Sequence, residues 1–399
     1  MLNKKYSIEV LKTLQTENFS EDYVMLSRSV TEKGEVVQSR NGTTSELLDF
    51  KTTLLNPYKR CIGVASRDIN IFFLLAEAIW IILGKRDVAF LDIFNKNLKS
   101  YSDDGRFFYA PYGWRLRKYG LNSMIVPDDS NKHHFNDYLD QIIIGLSMLQ
   151  NDPYDRRVVF SIWNPELDLG MKSKDLPCND MIMLKIRGNK LYTTIQNRSN
   201  DLHWGLTTNI FQFSFLTECL SLCLDVKLGT QTHNSQSLHV YHTSEHYSIY
   251  DREPKDNLYD FCSEKHIDFN FDANDVLKRF DEIIEVLNHI YHSILSNRYD
   301  HLTDSAIRPK SKYLYFVFRL LYIYKYYQAD TDKEKARIIS FNAILTLAVE
   351  LDMVDCDLTL LALNFFYKRI KNEEKESIIS EWLESAGMQK RLLNCLGKF

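Results

Sequence analysis

An α+β fold is predicted, a mixed sheet around a central buried helix followed by a helical C-terminal region, and three observations predict it. From Arg157 to Tyr241 the strand patterns gather around one long apolar helix and do not alternate with helices one for one. No G-x-G-x-x-G or Walker loop follows any strand pattern, which argues against a doubly wound nucleotide-binding sheet. Beyond about Asp272 the pattern is helical to the end of the chain, so the expected division is a first domain of residues 1–272 and a helical extension of residues 273–399.

Taken in order, the first fifty residues mix short helical and strand patterns, and Asn41-Gly42 marks a turn just after Arg40. INIFFLLAEAIWIILG, Ile69 to Gly84, is apolar almost all round, which predicts a helix buried on most sides and closed by Gly84. Glu77 lies inside it. A buried carboxylate costs several kcal/mol unless it is paired or hydrogen-bonded, so Glu77 is protonated, partnered or facing a wet cavity. RVVFSIW, MIMLKI and LYTTIQN read as strands, the last two joined by the turn RGNK, and LHVYH reads as a short one. The intervening GLTTNIFQFSFLTECLSLCL is a helix apolar on most faces. Thr331-x-x-Glu334 reads as a capping box before KARIISFNAILTLAVELDM. Tyr313 to Tyr327 is the most apolar window, but it is shorter than the roughly 20 residues of a membrane span and contains Arg319, so it predicts a core helix.

With 399 residues and a formal net charge of -4, the chain can bury a large core and carries no global basic field. Extended nucleic-acid binding is therefore disfavoured, and an anion site would need local arginines. The seven cysteines, Cys61, Cys178, Cys219, Cys223, Cys262, Cys356 and Cys395, are scattered, and MLNKKYSIEV has no apolar signal core, which predicts a reduced, cytoplasmic protein.

Several groups can do chemistry. Pro177-Cys178 stands in the loop DLPCND, and Arg40, Arg156, Arg157 and Arg198 would form a phosphate cradle if they converged, because guanidinium forks match phosphate oxygens and stay charged. Ser199 adds a hydroxyl beside Arg198. A cysteine near such cations is expected to have a lowered pKa, which favours the nucleophilic thiolate. Each residue also has a plain reading: Cys178 as a small buried hydrophobe, Arg156-Arg157 as a solvated pair, His239 and Tyr241 as strand residues with satisfied polar tips. His239-x-x-His242-x-x-x-His246 can be written as a metal site, yet no cysteine or carboxylate stands in a zinc spacing beside it.

The order of motifs resembles the thymidylate synthase and pyrimidine-nucleotide hydroxymethylase superfamily over roughly Val36 to Tyr247. The resemblance is carried by DRRVVFSIWNPELD, LPC, IQNRSNDLHWGLTTNIFQFSFLT and LHVYH, with echoes in Glu77-x-x-Trp80-x-x-x-Gly84 and in APYGWRLR around Tyr112. It implies a folate-dependent transferase acting on a deoxypyrimidine nucleotide with 5,10-methylenetetrahydrofolate as cosubstrate and no metal. Cys178 matches the nucleophile that adds to C6 of the ring. Arg40, Arg198 and Ser199 match phosphate ligands within the subunit, while Arg156 and Arg157 match a pair donated across a homodimer interface. His239 and Tyr241 match groups on the ribose hydroxyl, and Asp201 and Gly205 match the folate site. Asn209 matches the amide on the N3/O4 edge of the base, and Glu77 and Tyr112 match groups that organise water and help remove the C5 proton. An amide at Asn209 reads uracil, whereas cytosine calls for an acceptor facing its amine, so dUMP is expected over dCMP.

Three departures from the synthase pattern bear on the product. Asn179 stands where synthases carry histidine after the nucleophile. The segment FNKNLKSYSDDGRFFYAPYG offers Lys99, Tyr101 and Ser102 where synthases place tryptophans over the folate, and no synthase-like closing tail ends the chain. Hydride transfer to the methylene needs a dry, rigid site, so these changes favour water and a hydroxymethyl product over a methyl one. The remaining alternatives are a thymidylate synthase or a nucleotide-binding relative without catalysis. Enzymes of this kind in phages with modified DNA make a phage source, acting in the host cytosol, an implication of the resemblance.

Overall fold

The computed structural model describes residues 12–120, 138–249, 265–296, 301–372 and 374–375. The N-terminal decapeptide, Cys262, Cys395 and the expected helix at the extreme C-terminus lie outside the described residues. Eight strands form one mixed sheet: β1 (Thr13–Thr16), β2 (Glu35–Ser39), β3 (Gly42–Leu54), β4 (Val159–Ser161), β5 (Asn179–Arg187), β6 (Lys190–Asn197), β7 (Asn200–Asp201) and β8 (Lys227–Tyr241). The main order is β1-β3-β8-β6-β5-β4, with β2 on β3 and β7 on β8.

Turn chemistry sets the two hairpins. Gly188 and Asn189 both take positive φ (53° and 57°), the left-handed pair that a two-residue connection between twisted strands requires, and they join β5 to β6. Ser39 faces Gly42 across the turn between β2 and β3, which places Arg40 at the hairpin tip. β6 and β8 are parallel, so a crossover must join them.

That crossover is α7. The helices of the first part are α1 (Phe19–Lys33), α2 (Ile71–Ile82), α3 (Val88–Asp92), α4 (Tyr112–Arg117), α5 (Gln141–Asn151), α6 (Pro165–Asp168) and α7 (Thr207–Cys223). α2 begins where the Asn70 side chain accepts from Phe73 N at 3.1 Å, and just beyond its end Gly84 takes φ 62°. α2 and α7 pack together in the core, as their all-round apolar sequences require. Gly113, at the start of α4, sits so close to α2 that a Cβ there would lie 2.1 Å from the Ile81 carbonyl oxygen. Only glycine lets α4 approach this closely.

The C-terminal helices, Val276–Ser296, His301–Ile307, Lys312–Ala329, Lys333–Glu350 and Asp357–Tyr367, continue the same core. Tyr324 stacks on Phe72 of α2 at 4.6 Å, and its hydroxyl accepts from the Asn70 amide at 3.1 Å. Tyr291 donates to Asp87 at 2.6 Å. Among the described residues no helix is long and apolar enough to cross a membrane.

Three local expectations change. The strand ending in LHVYH is 15 residues long, not short, and lies in mid-sheet between β3 and β6. Its interior buries the polar residues Gln231, His233 and Ser235, which carry no strand pattern in the sequence. RVVFSIW is regular strand over Val159–Ser161 alone. The cap of helix Lys333–Glu350 is Asp332, whose carboxylate accepts from Lys335 N at 3.1 Å, one residue after the expected Thr331; a carboxylate also gains from the helix dipole.

Candidate active site

The loop DLPCND delivers Cys178 to the start of β5, where the register Asn179 with Asn197 brings Arg198 beside it. Arg198 holds the loop from several sides. Its backbone N donates to Cys178 O at 3.0 Å, and its Nε donates to Pro177 O at 2.9 Å. Its Nη2 lies 3.8 Å from Cys178 Sγ, and its guanidinium lies over the Trp163 ring at 5.7 Å. Contrary to the expectation of a lowered thiol pKa, Cys178 is raised. Burial penalises the thiolate more than Arg198 favours it; Asp175 and Asp180 add to the rise, and Arg40 opposes it. In the free protein Cys178 rests as a thiol.

Glu77 enters this site from α2, and the Gln212 amide of α7 donates to its Oε2. Burial, then the charge of Asp175, pushes the Glu77 carboxyl up to about 8, while the Gln212 bond pulls it down. Glu77 is therefore protonated at neutral pH, one of the states the sequence allowed. Tyr112, at the start of α4, is raised well above the ordinary phenol by burial and then by Cys178, Asp175 and Glu77. Its ring packs on Phe213, the neighbour of Gln212, at 6.0 Å. Cys178, Glu77 and Tyr112 are thus brought together, and Asp175 and Gln212, which sequence reasoning missed, stand among them.

Behind Cys178 runs a chain of buried amides. The Asn200 Nδ2 donates to Ser235 Oγ at 3.0 Å and to Asn197 Oδ1 at 3.4 Å. Asn197 Nδ2 donates to Asn179 Oδ1, and Asn179 and Asn209 exchange two bonds of 3.3 Å each. Asn179, read from sequence only as a departure, is a fully buried link that sets how Asn209 is presented. Its signal was in DLPCND, but its partners depend on strand register.

Asp201 caps the turn Leu202–Leu206, its Oδ1 accepting from His203 N at 2.7 Å and Trp204 N at 3.1 Å. Burial raises its carboxyl, against the Trp204 amide and nearby His239. β7 pairs Asp201 with His239 of β8, whose ring lies 5.2 Å from that of Tyr241. A Cβ on Gly205 would meet Asn200 Oδ1 at 2.8 Å, so glycine is needed there for packing as well. Trp204, beside it, is 58% exposed and lies under the Arg67 guanidinium at 4.8 Å. Ser199 is half-buried beside Arg198.

The four arginines do not converge within one chain. Arg40 and Arg198 act on Cys178, but Arg156 and Arg157 stand exposed before β4. Leu184 N bonds to Val158 O, six residues along β5 from Cys178, or roughly 20 Å of strand. Arg157 is instead forked onto Asp155, Nε to Oδ1 at 3.0 Å and Nη2 to Oδ2 at 2.7 Å. Ser102 also turns from the site, its hydroxyl donating to Phe107 O at 2.6 Å and accepting from Gly105 N at 2.9 Å, whereas Tyr101 is exposed. Among the described residues no three His, Cys, Asp or Glu gather as metal ligands.

A family model described as thymidylate synthase matches residues 21–292. A deoxyuridylate hydroxymethyltransferase of Bacillus phage SP01 is 32% identical over 300 residues, covering 73% of this chain and 74% of that protein. Proteins of the same description from Pseudomonas phage M6 and Delftia phage PhiW-14 are 34% and 29% identical, over 58% and 55% of this chain and 62% and 59% of their own lengths.

Proposed function

The chain belongs to the thymidylate synthase family, and we propose that it converts dUMP to 5-hydroxymethyl-dUMP with 5,10-methylenetetrahydrofolate as the one-carbon donor. The observation that carries this reading is the set of three phage relatives described as deoxyuridylate hydroxymethyltransferases, one similar over nearly three quarters of the chain. The site chemistry supports it, since a cysteine held by an arginine stands beside a protonated carboxyl and a buried phenol.

On this reading Cys178 Sγ adds to C6 of the uracil and makes C5 nucleophilic. Arg40, Arg198 and Ser199 hold the phosphate, His239 and Tyr241 the ribose hydroxyl, and Asn209 the N3/O4 edge. Glu77 donates toward the ring through water, and with Tyr112 it assists loss of the C5 proton. The carboxyl of Asp201, the bare backbone at Gly205 and the exposed face of Trp204 fit a flat heteroaromatic ring with amine donors, so this region is assigned to the folate. Arg156 and Arg157, too far along the sheet for their own site, are assigned to the neighbouring site of a homodimer. We assign residues 1–272 to the catalytic unit and residues 273–399 to a helical extension that buttresses α2, acting in the cytosol of a phage-infected cell.

The test is incubation of the protein with dUMP and methylenetetrahydrofolate, with mass analysis of the nucleotide and absorbance of the folate. The expected products are 5-hydroxymethyl-dUMP and tetrahydrofolate. Stoichiometric dTMP and dihydrofolate would make the protein a thymidylate synthase instead, and absence of any tritium release from 5-tritiated dUMP would leave a binding protein.

A further inference from the structure

We propose that Asp175 is the base that takes the proton from the water attacking the exocyclic methylene, so that this residue directs the product toward hydroxymethyl; the proposal rests on the reading above. Asp175 precedes Cys178 by three residues in the same loop and is only partly exposed. Its Oδ2 accepts from Ala110 N at 2.9 Å, two residues before Tyr112, so one backbone segment fixes both side chains at the nucleophile. Its own N–H donates to Ser173 Oγ at 3.1 Å, and that hydroxyl donates to Asp103 at 2.6 Å. The residue is held through both its carboxylate and its backbone.

Of the carboxyls near Cys178, Asp180 bears on it from β5, while Glu77 and Asp175 lie together beside Tyr112, and their surroundings separate these two. Glu77, up to about 8, is protonated at neutral pH and has a proton to give, while its Oε2 accepts from Gln212. Asp175 is raised to about 6 by burial, countered by the Ala110 amide and by Arg115 of α4, with Asp103 raising it further. Glu77, Tyr112 and Cys178 face it from the remaining sides. At neutral pH Asp175 is therefore ionised and Glu77 is not, a separation that assigns base and acid.

The step balances without any redox partner. After one-carbon transfer the nucleotide carries an exocyclic C5 methylene conjugated with the C4 carbonyl, and Sγ of Cys178 on C6. The water oxygen bonds to the methylene carbon as its proton passes to Asp175. The displaced electron pair enters the C5–C4–O enolate, then returns to form the C5–C6 double bond and expels Sγ. The released thiolate takes back the proton from Asp175, which restores the resting thiol and the ionised carboxylate.

Asp175→Asn keeps an acceptor for the Ala110 amide and removes the base. Under single turnover with 5-tritiated dUMP and methylenetetrahydrofolate, the variant is expected to release tritium at most severalfold more slowly than the unaltered protein. It should accumulate a Cys178-linked nucleotide, seen in the intact protein mass, and form 5-hydroxymethyl-dUMP about 100-fold more slowly. In the unaltered protein the rate of hydroxymethyl formation should rise through pH about 6, and in the variant that rise should flatten. Unchanged product formation and pH profile would overturn the assignment, as would equal loss of tritium release and product, which marks a structural role. Asp175→Ser, which is small and lacks the base, is expected to behave as the asparagine variant does, and a Ser variant with normal product formation would also overturn it. If the unaltered protein makes dTMP and dihydrofolate, the functional reading fails and this proposal falls with it. If it makes the hydroxymethyl product and only the variants are indifferent, this proposal alone fails.

Discussion

Replacing Asn197 by valine is expected to erode discrimination between dUMP and dCMP, although Asn197 is assigned no contact with the base. An asparagine amide has two orientations related by a half-turn, and for Asn209 they present opposite donor and acceptor patterns to the pyrimidine. Asn179 and Asn209 exchange two hydrogen bonds of 3.3 Å, so turning Asn209 alone breaks both. Turning the two together would preserve them, and only the Asn197 amide, which donates to Asn179 Oδ1, opposes that concerted turn. A buried bond of this kind contributes about 1 kcal/mol net, and confronting two amino groups adds a desolvation cost, so Asn197 holds the orientation by ~1–3 kcal/mol. Valine suits the strand and removes that restraint.

The expected result is a fall of about ten- to a hundredfold in the ratio of kcat/KM for dUMP over dCMP, read by tritium release from each 5-tritiated nucleotide. Thermal unfolding of the variant checks that the sheet is intact. A ratio unchanged within threefold, in a folded variant, would refute the argument that the amide chain orients Asn209.

Three further outcomes follow from other parts of the molecule. Mixing inactive Cys178→Ala chains with inactive Arg157→Ala chains should restore activity through hybrid dimers; no restoration, with subunit exchange shown separately, would place the whole site in one chain. Gly113→Ala should destabilise the fold by about 1–3 kcal/mol in denaturant unfolding and depress turnover more than nucleotide binding, because its Cβ pushes α4 and Tyr112 away from α2 and Glu77. Arg60→Met should cost about 3–5 kcal/mol, since it strands the buried Glu218 carboxylate, whereas Glu218→Gln should cost less because it can still accept from Ile267 N; equal losses would show that the ion pair is not what matters there.

What could be read from sequence depended on whether a residue's surroundings were local. The helices at Ile71–Ile82 and Thr207–Cys223 were legible because each is apolar around most of its circumference, Lys312–Ala329 because it holds the most apolar window, and the β5–β6 hairpin because RGNK is turn chemistry. β8 was mostly hidden, since a strand buried between neighbours can carry Gln231, His233 and Ser235 when some of their polar atoms find partners, as Gln231 Nε2 and His233 Nε2 do with each other at 2.9 Å and Ser235 Oγ does with Asn200. The same division holds at the site. Residue types in family order pointed to Cys178, Glu77, Tyr112 and Asn209, but the amide chain exists only because β5 and β6 align Asn179 with Asn197. The direction of the Cys178 shift was missed because arginines can be counted in a sequence and burial cannot.

The expectation of a wetter site was placed in the segment of Lys99, Tyr101 and Ser102, and the proposal for Asp175 adds a source beside Cys178. Ser102 is spent on its own turn, so it adds no polarity near Cys178. The loop of Cys178 carries a charge of its own, where Asp175 stands among Glu77, Tyr112 and Cys178. A buried ionised carboxylate draws water or a donor to itself, because leaving it bare is costly. Hydride transfer is hindered by such a water, and hydroxymethyl formation requires one. On the proposal for Asp175, the choice between a methyl and a hydroxymethyl product turns less on which aromatic side chains cover the folate than on a single charge three residues ahead of Cys178. A leucine at that position should both dry the site and remove the base, so Asp175→Leu is expected to lower hydroxymethyl formation at least as far as Asp175→Asn. Any dTMP with dihydrofolate should appear in the leucine variant alone, measured by mass analysis of the nucleotide beside the folate absorbance. Equal dTMP from both variants would separate the loss of the base from the drying of the site and refute the link drawn between them.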